Sequence, residues 1–230
     1  MILITGASSG LGGAVAKQYV QSAQAITITG RNSQRLTETA ESLAAIANDT
    51  DIVQAVGADL TQASDVAELF DYIDAAQQPL STVVHCAGSG YFGDIVVQDN
   101  QQIQNLIDNN LLTTINLVRE LVRRYQDKPV TVVVVMSTAA LVAKAGESTY
   151  CAVKWAVKGF IESVRLELKS SPMKLVCVYP GGMDTGFWPT SGKDVDTSGF
   201  MSADEAAGML VDALKSTQHG YVADITIQRG

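Results

Sequence analysis

Seven short runs of aliphatic and β-branched residues, separated by longer stretches with apolar residues every three or four positions, constrain this chain more than any other feature. Side chains repeat every two residues along a strand and about every 3.6 along a helix, so the alternation reads as βαβ units. Their strands lie parallel and covered on both faces. Strands are expected at 2–5, 25–29, 52–57, 82–86, 130–137, 174–179 and 221–227, and helices near 11–23, 33–47, 64–76, 99–126, 150–169 and 203–216. In the fourth helix Ile103, Leu106, Ile107, Leu111, Ile115, Val118 and Leu121 fall on one stripe that packs on the sheet, with polar Asn110 among them. The fold expected is α/β, a doubly wound parallel sheet of about seven strands with helices on both faces. No repeat, low-complexity tract or Pro/Gly-rich linker divides the chain, so residues 1–230 form one domain. The aperiodic stretch 181–202 is the candidate substrate-binding loop.

Composition excludes several classes of function. Hydrophobic residues make up 47% and charged ones 17%, which is far from the composition of a disordered chain. A formal net charge of −8 repels phosphate backbones and argues against nucleic acid as a partner. The odd set Cys86, Cys151 and Cys177 fits reduced thiols rather than a disulfide framework. No basic leader precedes Met1-Ile2-Leu3 and no apolar run is long enough to cross a bilayer, so the expectation is a cytoplasmic protein without a membrane partner.

Thr5-Gly6-Ala7-Ser8-Ser9-Gly10-Leu11-Gly12 follows the first strand and opens a helix. In that context Gly6 permits a sharp turn, Gly10 lets backbone approach a pyrophosphate, and Gly12 lets helix and strand pack closely. The helix N-terminus adds its dipole and free N–H donors. The pattern points to a dinucleotide on a Rossmann-like fold; the plainer alternative is a ligand-free glycine turn. The second strand ends Thr29-Gly30-Arg31-Asn32, without the carboxylate that would hold an unphosphorylated ribose. Arg31 is placed to pair with a 2′-phosphate, or is simply a surface charge, and the preference expected is NADP(H), with NAD(H) as the alternative.

Tyr150 and Lys154 stand four residues apart, on one face if the segment is helical, and Ser137 ends a strongly apolar strand. Open α/β sheets bind ligands beyond the carboxyl ends of their strands, so the three groups converge on one crevice.

With TGASSGLG at 5–12, Arg31, Asp59-Leu60, Ala87-Gly88, Asn110, Ser137, Tyr150, Lys154 and Pro180-Gly181, the chain resembles the classical short-chain dehydrogenase/reductase family over nearly its full length. The resemblance implies reversible hydride transfer between a nicotinamide and a small-molecule carbonyl or alcohol. Tyr150 would be the general acid, Lys154 would stabilise its phenolate and bind the nicotinamide ribose, and Ser137 would orient the substrate oxygen. Asn110 would hold a water in a proton relay, with neighbouring Asn109 leaving that assignment slightly ambiguous. Cofactor contacts would come from Gly6, Ser8, Ser9, Gly10, Leu11, Gly12, Arg31, Asp59, Leu60, Ala87, Gly88, Lys154, Pro180, Gly181 and Thr185. Asp59 can equally be a turn cap. The resemblance also implies a homodimer or homotetramer built on the helices at 99–126 and 150–169, although Trp155 and Phe160 there could be core residues.

The chain departs from the family pattern in reading His85-Cys86-Ala87-Gly88 where Asn-Asn-Ala-Gly is usual. Adjacent strand residues point to opposite faces and His219 is the one other histidine, so no metal site is expected. Cys86 reads as a packed thiol, while the reactivity of Cys151 stays open. The short C-terminus suggests an open substrate pocket. Met183, Phe187, Trp188 and Phe200 suggest an apolar lining suited to a neutral carbonyl compound. Intact Ser137, Tyr150 and Lys154 argue against a non-catalytic dinucleotide-binding regulator or scaffold, and the chain is short for an epimerase or dehydratase.

Overall fold

Alternation inside the strands builds two cores rather than one: Ile2 and Ile4 enter one cluster and Leu3 the other, Val84 and Val133 the first and Val83, Val132 and Val134 the second. The computed structural model describes residues 1–49, 51–76, 78–215 and 220–230. Its strands in chain order are β1 (Ile2–Thr5), β2 (Ile26–Gly30), β3 (Val53–Gly57), β4 (Thr82–His85), β5 (Thr131–Val135), β6 (Lys174–Pro180), β7 (Met183–Asp184), β8 (Met201–Ser202) and β9 (Asp224–Ile227). The helices are α1 (Gly10–Gln21), α2 (Ser33–Ala47), α3 (Ala63–Ala75), α4 (Asn100–Ile107), α5 (Thr113–Tyr125), α6 (Ser148–Glu167), α7 (Phe187–Thr190) and α8 (Ala203–Leu214).

Among the described residues, seven strands form one parallel sheet in the order β3-β2-β1-β4-β5-β6-β9, and β7 pairs with β8 in a small second sheet. Helices α1, α2 and α8 cover one face of the large sheet and α3, α5 and α6 the other, a Rossmann-like doubly wound fold. Burying a Val, Leu or Ile side chain is worth about 1.5–3 kcal/mol, whereas helix propensities differ by under about 1 kcal/mol per ordinary residue. Packing therefore decides where these helices lie. Local chemistry sets their ends: Asn32 accepts from the Arg35 N–H at 2.9 Å to start α2, and Ser202 and Glu205 form a reciprocal cap on α8.

The strand order reverses direction of travel between β1 and β4, and the carboxyl ends of these two strands frame the crevice. The expected strand at 82–86 ends at His85, and the one at 130–137 is confined to Thr131–Val135 because Ser137 opens a short 3₁₀ turn. The expected strand at 221–227 starts at Asp224. The helix expected at 203–216 ends at Leu214, and position 216 lies outside the described residues. The helix expected over 99–126 is divided by a π turn at Asp108–Leu112, where the Thr113 N–H reaches the Asp108 carbonyl, five residues back. The stretch 181–202 carries β7, α7 and β8 instead of being wholly irregular.

A methyl group on Gly12 would collide with the Gly6 carbonyl and sit 2.9 Å from its carbon, whereas one on Gly208, inside α8, would meet nothing within 4 Å. Gly12→Ala is expected to lower unfolding free energy by about 1–3 kcal/mol, and Gly208→Ala to raise it by about 0.5–1 kcal/mol. Urea denaturation of both variants checks the pair of signs.

Candidate active site

The turn after β1 is pressed against the end of β4. Gly6 has φ +66°, open to glycine at little cost, and a Cβ there would lie 2.7 Å from the Ala87 nitrogen. Gly12 closes the same contact from the first turn of α1. Beside the turn runs a groove of about 630 Å³, lined by Ser8, Ser9 and Gly10 on one side and by Thr185 and Gly186 on the other. Thr185 carbons lie 3.9 Å from the Cβ position of Gly10, so the loop after β6 forms the opposite wall. Arg35 on α2 also lines this groove, a cation that the sequence pattern alone did not single out.

On the inner side of that contact lie the buried Tyr150, Lys154 and Asn110 and the partly exposed Ser137. Tyr150 and Lys154, one turn apart on α6, are 5% and 6% exposed, and the Lys154 Nζ stands 5.6 Å from the centroid of the Tyr150 ring. Ser137, beyond the end of β5, places its hydroxyl beside the Tyr150 phenol. Asn110 arrives from the π turn, with its side-chain oxygen 2.7 Å and the Lys154 ammonium 3.7 Å from where a Gly88 Cβ would stand. Any residue but glycine at position 88 would fill this gap. The Asn110 Nδ2 donates to the carbonyls of Ser89 at 3.0 Å and Leu106 at 2.8 Å, which identifies Oδ1 as a buried acceptor without a partner among the described residues. Neighbouring Asn109 instead points its amide to Ser89 Oγ, 3.4 Å away.

Burial dominates the proton affinities here. It holds the Tyr150 phenol well above its ordinary value, opposed by the Ser137 hydroxyl and reinforced by the charge of Glu147. It also pushes Lys154 down to about 8, leaving it mostly charged at neutral pH. Desolvation decides the direction of the phenol's shift. Burial and then the Lys154 charge push His85 down to about 3, so it is a neutral imidazole. Burial raises the Cys86 thiol to about 12, in keeping with a packed residue, and Cys151 is buried under the aromatic cluster.

On the substrate side an aromatic cluster packs on Tyr150. Phe92 and Phe187 stack against Tyr150 at centroid distances of 5.2 and 6.0 Å, and Trp188 and Phe200 extend the cluster. Phe187 lies directly over Gly90. The loop is fastened by the Phe92 N–H donating to the Ser191 carbonyl at 2.9 Å and by Lys193 Nζ at 3.2 Å from Glu147. Phe92 and Lys193 were not legible in sequence, because neither falls in a spaced motif.

Of the remaining expected residues, Arg31 is exposed just after β2 and enters no ion pair among the described residues. One Asp59 oxygen accepts from the Thr61 N–H and hydroxyl at 3.0 and 2.9 Å, the turn-cap arrangement. Leu60 is buried, and its carbonyl accepts from Asn116 at 3.0 Å. Leu11 is buried in α1, Pro180 ends β6, and the Gly181 N–H donates to the Ile227 carbonyl at 2.8 Å. Trp155 is half exposed and Phe160 packs against the core. Among the described residues no group of three His, Cys, Asp or Glu side chains gathers, and His219 lies outside them. No helix among them is long and apolar enough to cross a membrane.

Comparison with known proteins agrees with this geometry. The family model described as short chain dehydrogenase matches residues 1–196. The chain is similar to a short-chain dehydrogenase/reductase from Vibrio parahaemolyticus, at 54% identity and TM-score 0.88, covering 100% of this chain and 97% of that one. An uncharacterized oxidoreductase of Staphylococcus epidermidis is 28% identical over 98% of this chain and 95% of its own length. The fold is shared with an alcohol dehydrogenase from the archaeon Thermococcus sibiricus complexed with 5-hydroxy-NADP, at 22% identity and TM-score 0.89, over 99% and 95% of the two chains.

The low proton affinity of His85 makes stability depend on pH. Between about 6.5 and about 3 the unfolded chain binds a proton that the folded chain refuses, so stability from this residue is complete above about 6.5 and falls as pH drops. The melting-temperature advantage of wild type over His85→Gln is expected to narrow from about pH 7.5 to about pH 5. Thermal unfolding at both pH values tests this; an unchanged gap would show that the folded imidazole titrates normally.

Proposed function

The chain belongs to the short-chain dehydrogenase/reductase family of oxidoreductases, and from that premise we propose that it reduces a neutral carbonyl compound with NADP(H), NAD(H) being the poorer cofactor. The observation that carries this reading is the buried Tyr150, with the partly exposed Ser137 beside its phenol, next to buried Lys154 and Asn110, which border the glycine gap at position 88. The residues present fit a nicotinamide dinucleotide. An unpartnered Asn110 oxygen and a buried ammonium border a space kept open by a missing side chain, and a groove leads away past the glycine turn.

Gly6, Ser8, Ser9, Gly10, Leu11 and Gly12 would hold the pyrophosphate on backbone N–H groups at the start of α1, with Thr185, Pro180 and Gly181 opposite. Ala87 and Gly88 would let the backbone lie close to the cofactor, Asp59 and Leu60 would flank the adenine, and Arg31 would pair with the 2′-phosphate. When bound, the cofactor supplies the hydride. The chain supplies orientation and the proton. Ser137 donates to the substrate oxygen and polarises the carbonyl; Tyr150 gives its phenolic proton to that oxygen as negative charge develops there. A phenol held protonated by burial suits this direction, and Lys154, charged one helical turn away, stabilises the phenolate left behind. Asn110 would hold a water in a proton relay that runs through Lys154 and restores the phenolic proton of Tyr150.

Residues 181–202 serve as the substrate-binding loop of this single domain. The aromatic cluster over Tyr150 supports an apolar substrate without charged groups and excludes water from the developing charge. The protein would work in the cytoplasm as a homodimer or homotetramer, its contact formed by α4, α5 and α6, where Trp155 stands half exposed.

An NADPH-oxidation screen over aldehydes, ketones, diketones and quinones is expected to find turnover that falls about 10²- to 10⁴-fold in Tyr150→Phe, the usual span for loss of a positioned acid. Undiminished turnover by that variant would assign the proton to another group. A charge-assisted hydrogen bond to phosphate is worth about 1.5–3 kcal/mol, so Arg31→Ala is expected to lower the NADPH-over-NADH ratio of kcat/KM by roughly 10- to 100-fold. An unchanged ratio would remove Arg31 from the cofactor site.

A further inference from the structure

One buried titratable residue, His85, has no part in the reaction described above, yet both of its ring nitrogens are engaged. Nδ1 lies 2.8 Å from Thr5 Oγ1 and Nε2 lies 3.1 Å from Thr114 Oγ1. The Thr114 hydroxyl donates to the Asn110 carbonyl at 2.6 Å, and Thr5 Oγ1 accepts from the Ala87 N–H at 3.3 Å. These two ends fix the direction of every bond between them, because a backbone N–H can only donate and a carbonyl can only accept. The Thr114 proton is committed to Asn110, so His85 Nε2 carries a hydrogen and donates it to Thr114. Nδ1 is then bare and accepts from Thr5. The chain runs without a break from the loop after β4, through β1 and the imidazole, to the π turn.

Its far end is where the helix is irregular. The π turn moves the Thr113 N–H on to the Asp108 carbonyl, and the hydroxyls of Thr113 and Thr114 reach back to the carbonyls of Asn109 and Asn110. Such back-bonding bends helices and admits more than one geometry unless something fixes the hydroxyl. His85 fixes it for Thr114. We propose that His85 is a positioning residue that, by locking Thr114 onto the Asn110 carbonyl, aims the Asn110 side-chain oxygen at Lys154 across Gly88. This rests on the oxidoreductase reading above, in which Asn110 serves the proton relay.

A residue that merely ties β1 to α5 would affect stability and nothing else in particular. A residue acting through Asn110 leaves a different signature, which a double-mutant cycle detects. The side-chain amide of Asn reaches about as far as Nδ1 and that of Gln about as far as Nε2, so His85→Asn loses the donor to Thr114 while His85→Gln keeps it. Each is made in wild type and in Asn110→Ala, and kcat, the KM for NADPH and the melting temperature are measured. His85→Asn is expected to lower kcat on the order of tenfold with the KM for NADPH nearly unchanged, within the roughly 10²-fold that a misplacement of about 1 Å can cost. His85→Gln restores most of that loss, and in Asn110→Ala neither substitution lowers kcat further. Equal losses in both backgrounds, or full activity in His85→Asn, would overturn the proposal. Should His85→Asn fail to fold, Thr114→Val compared with Thr114→Ser reads the same link from its other end: a kcat loss in Thr114→Val that Thr114→Ser restores supports the link, and full activity in Thr114→Val overturns it. Tyr150→Phe, run alongside, separates the premises: an active Tyr150→Phe defeats the reading of the reaction, whereas its inactivity beside a fully active His85→Asn defeats only the role of His85.

Discussion

Contact between the backbone at Gly6 and Gly12 and the start of the loop at Ala87 governs the rest of this molecule. Neither glycine has a Cβ to hold the chains apart, so α1 and the end of β4 approach to a distance that no other residue would allow. That approach sets the Ser8-Ser9-Gly10 turn, which lines the groove, close to the segment that carries Gly88. The parallel order of the sheet puts this contact at the point where neighbouring connections leave in opposite directions.

Electrostatics inside the site follow from closing it. Lys154 is a buried ammonium, and desolvation together with its charge keeps His85 unprotonated. The aromatic residues of the loop that covers Tyr150 remove water and thereby raise the phenol instead of lowering it. The same desolvation that hinders ionisation strengthens each hydrogen bond made inside the site, because the effective dielectric is low. Rigidity and polarity are thus supplied by different elements: the sheet and glycine contact fix position, and α6 and the π turn bring the buried polar side chains.

Much of this could be read in the residues. Strand and helix periodicity located the elements of the large sheet to within a few positions, since their side chains are sorted between two cores that demand it. Spaced motifs led to Gly6, Gly10, Gly12, Ser137, Tyr150 and Lys154, because each type is tied to its place by a steric or chemical need. Features depending on three-dimensional closure were hidden. The π turn leaves no mark in the apolar stripe that contains Asn110, since one extra residue in a turn shifts the stripe only slightly. The partners of His85, Thr5 and Thr114, lie 80 and 29 residues away. Phe92 packs on Tyr150 from a loop with no periodic signal.

Direct evidence for the chemistry comes from following the transferred atom. With NADPH carrying deuterium at the transferable position of the nicotinamide, a single turnover on an accepted carbonyl compound should place one deuterium on the carbinol carbon of the product, and replacing Tyr150 by Phe should suppress product formation without weakening NADPH binding. Product lacking that deuterium, or formed equally fast without the phenol, would mean that the crevice between β1 and β4 does not carry out this reaction.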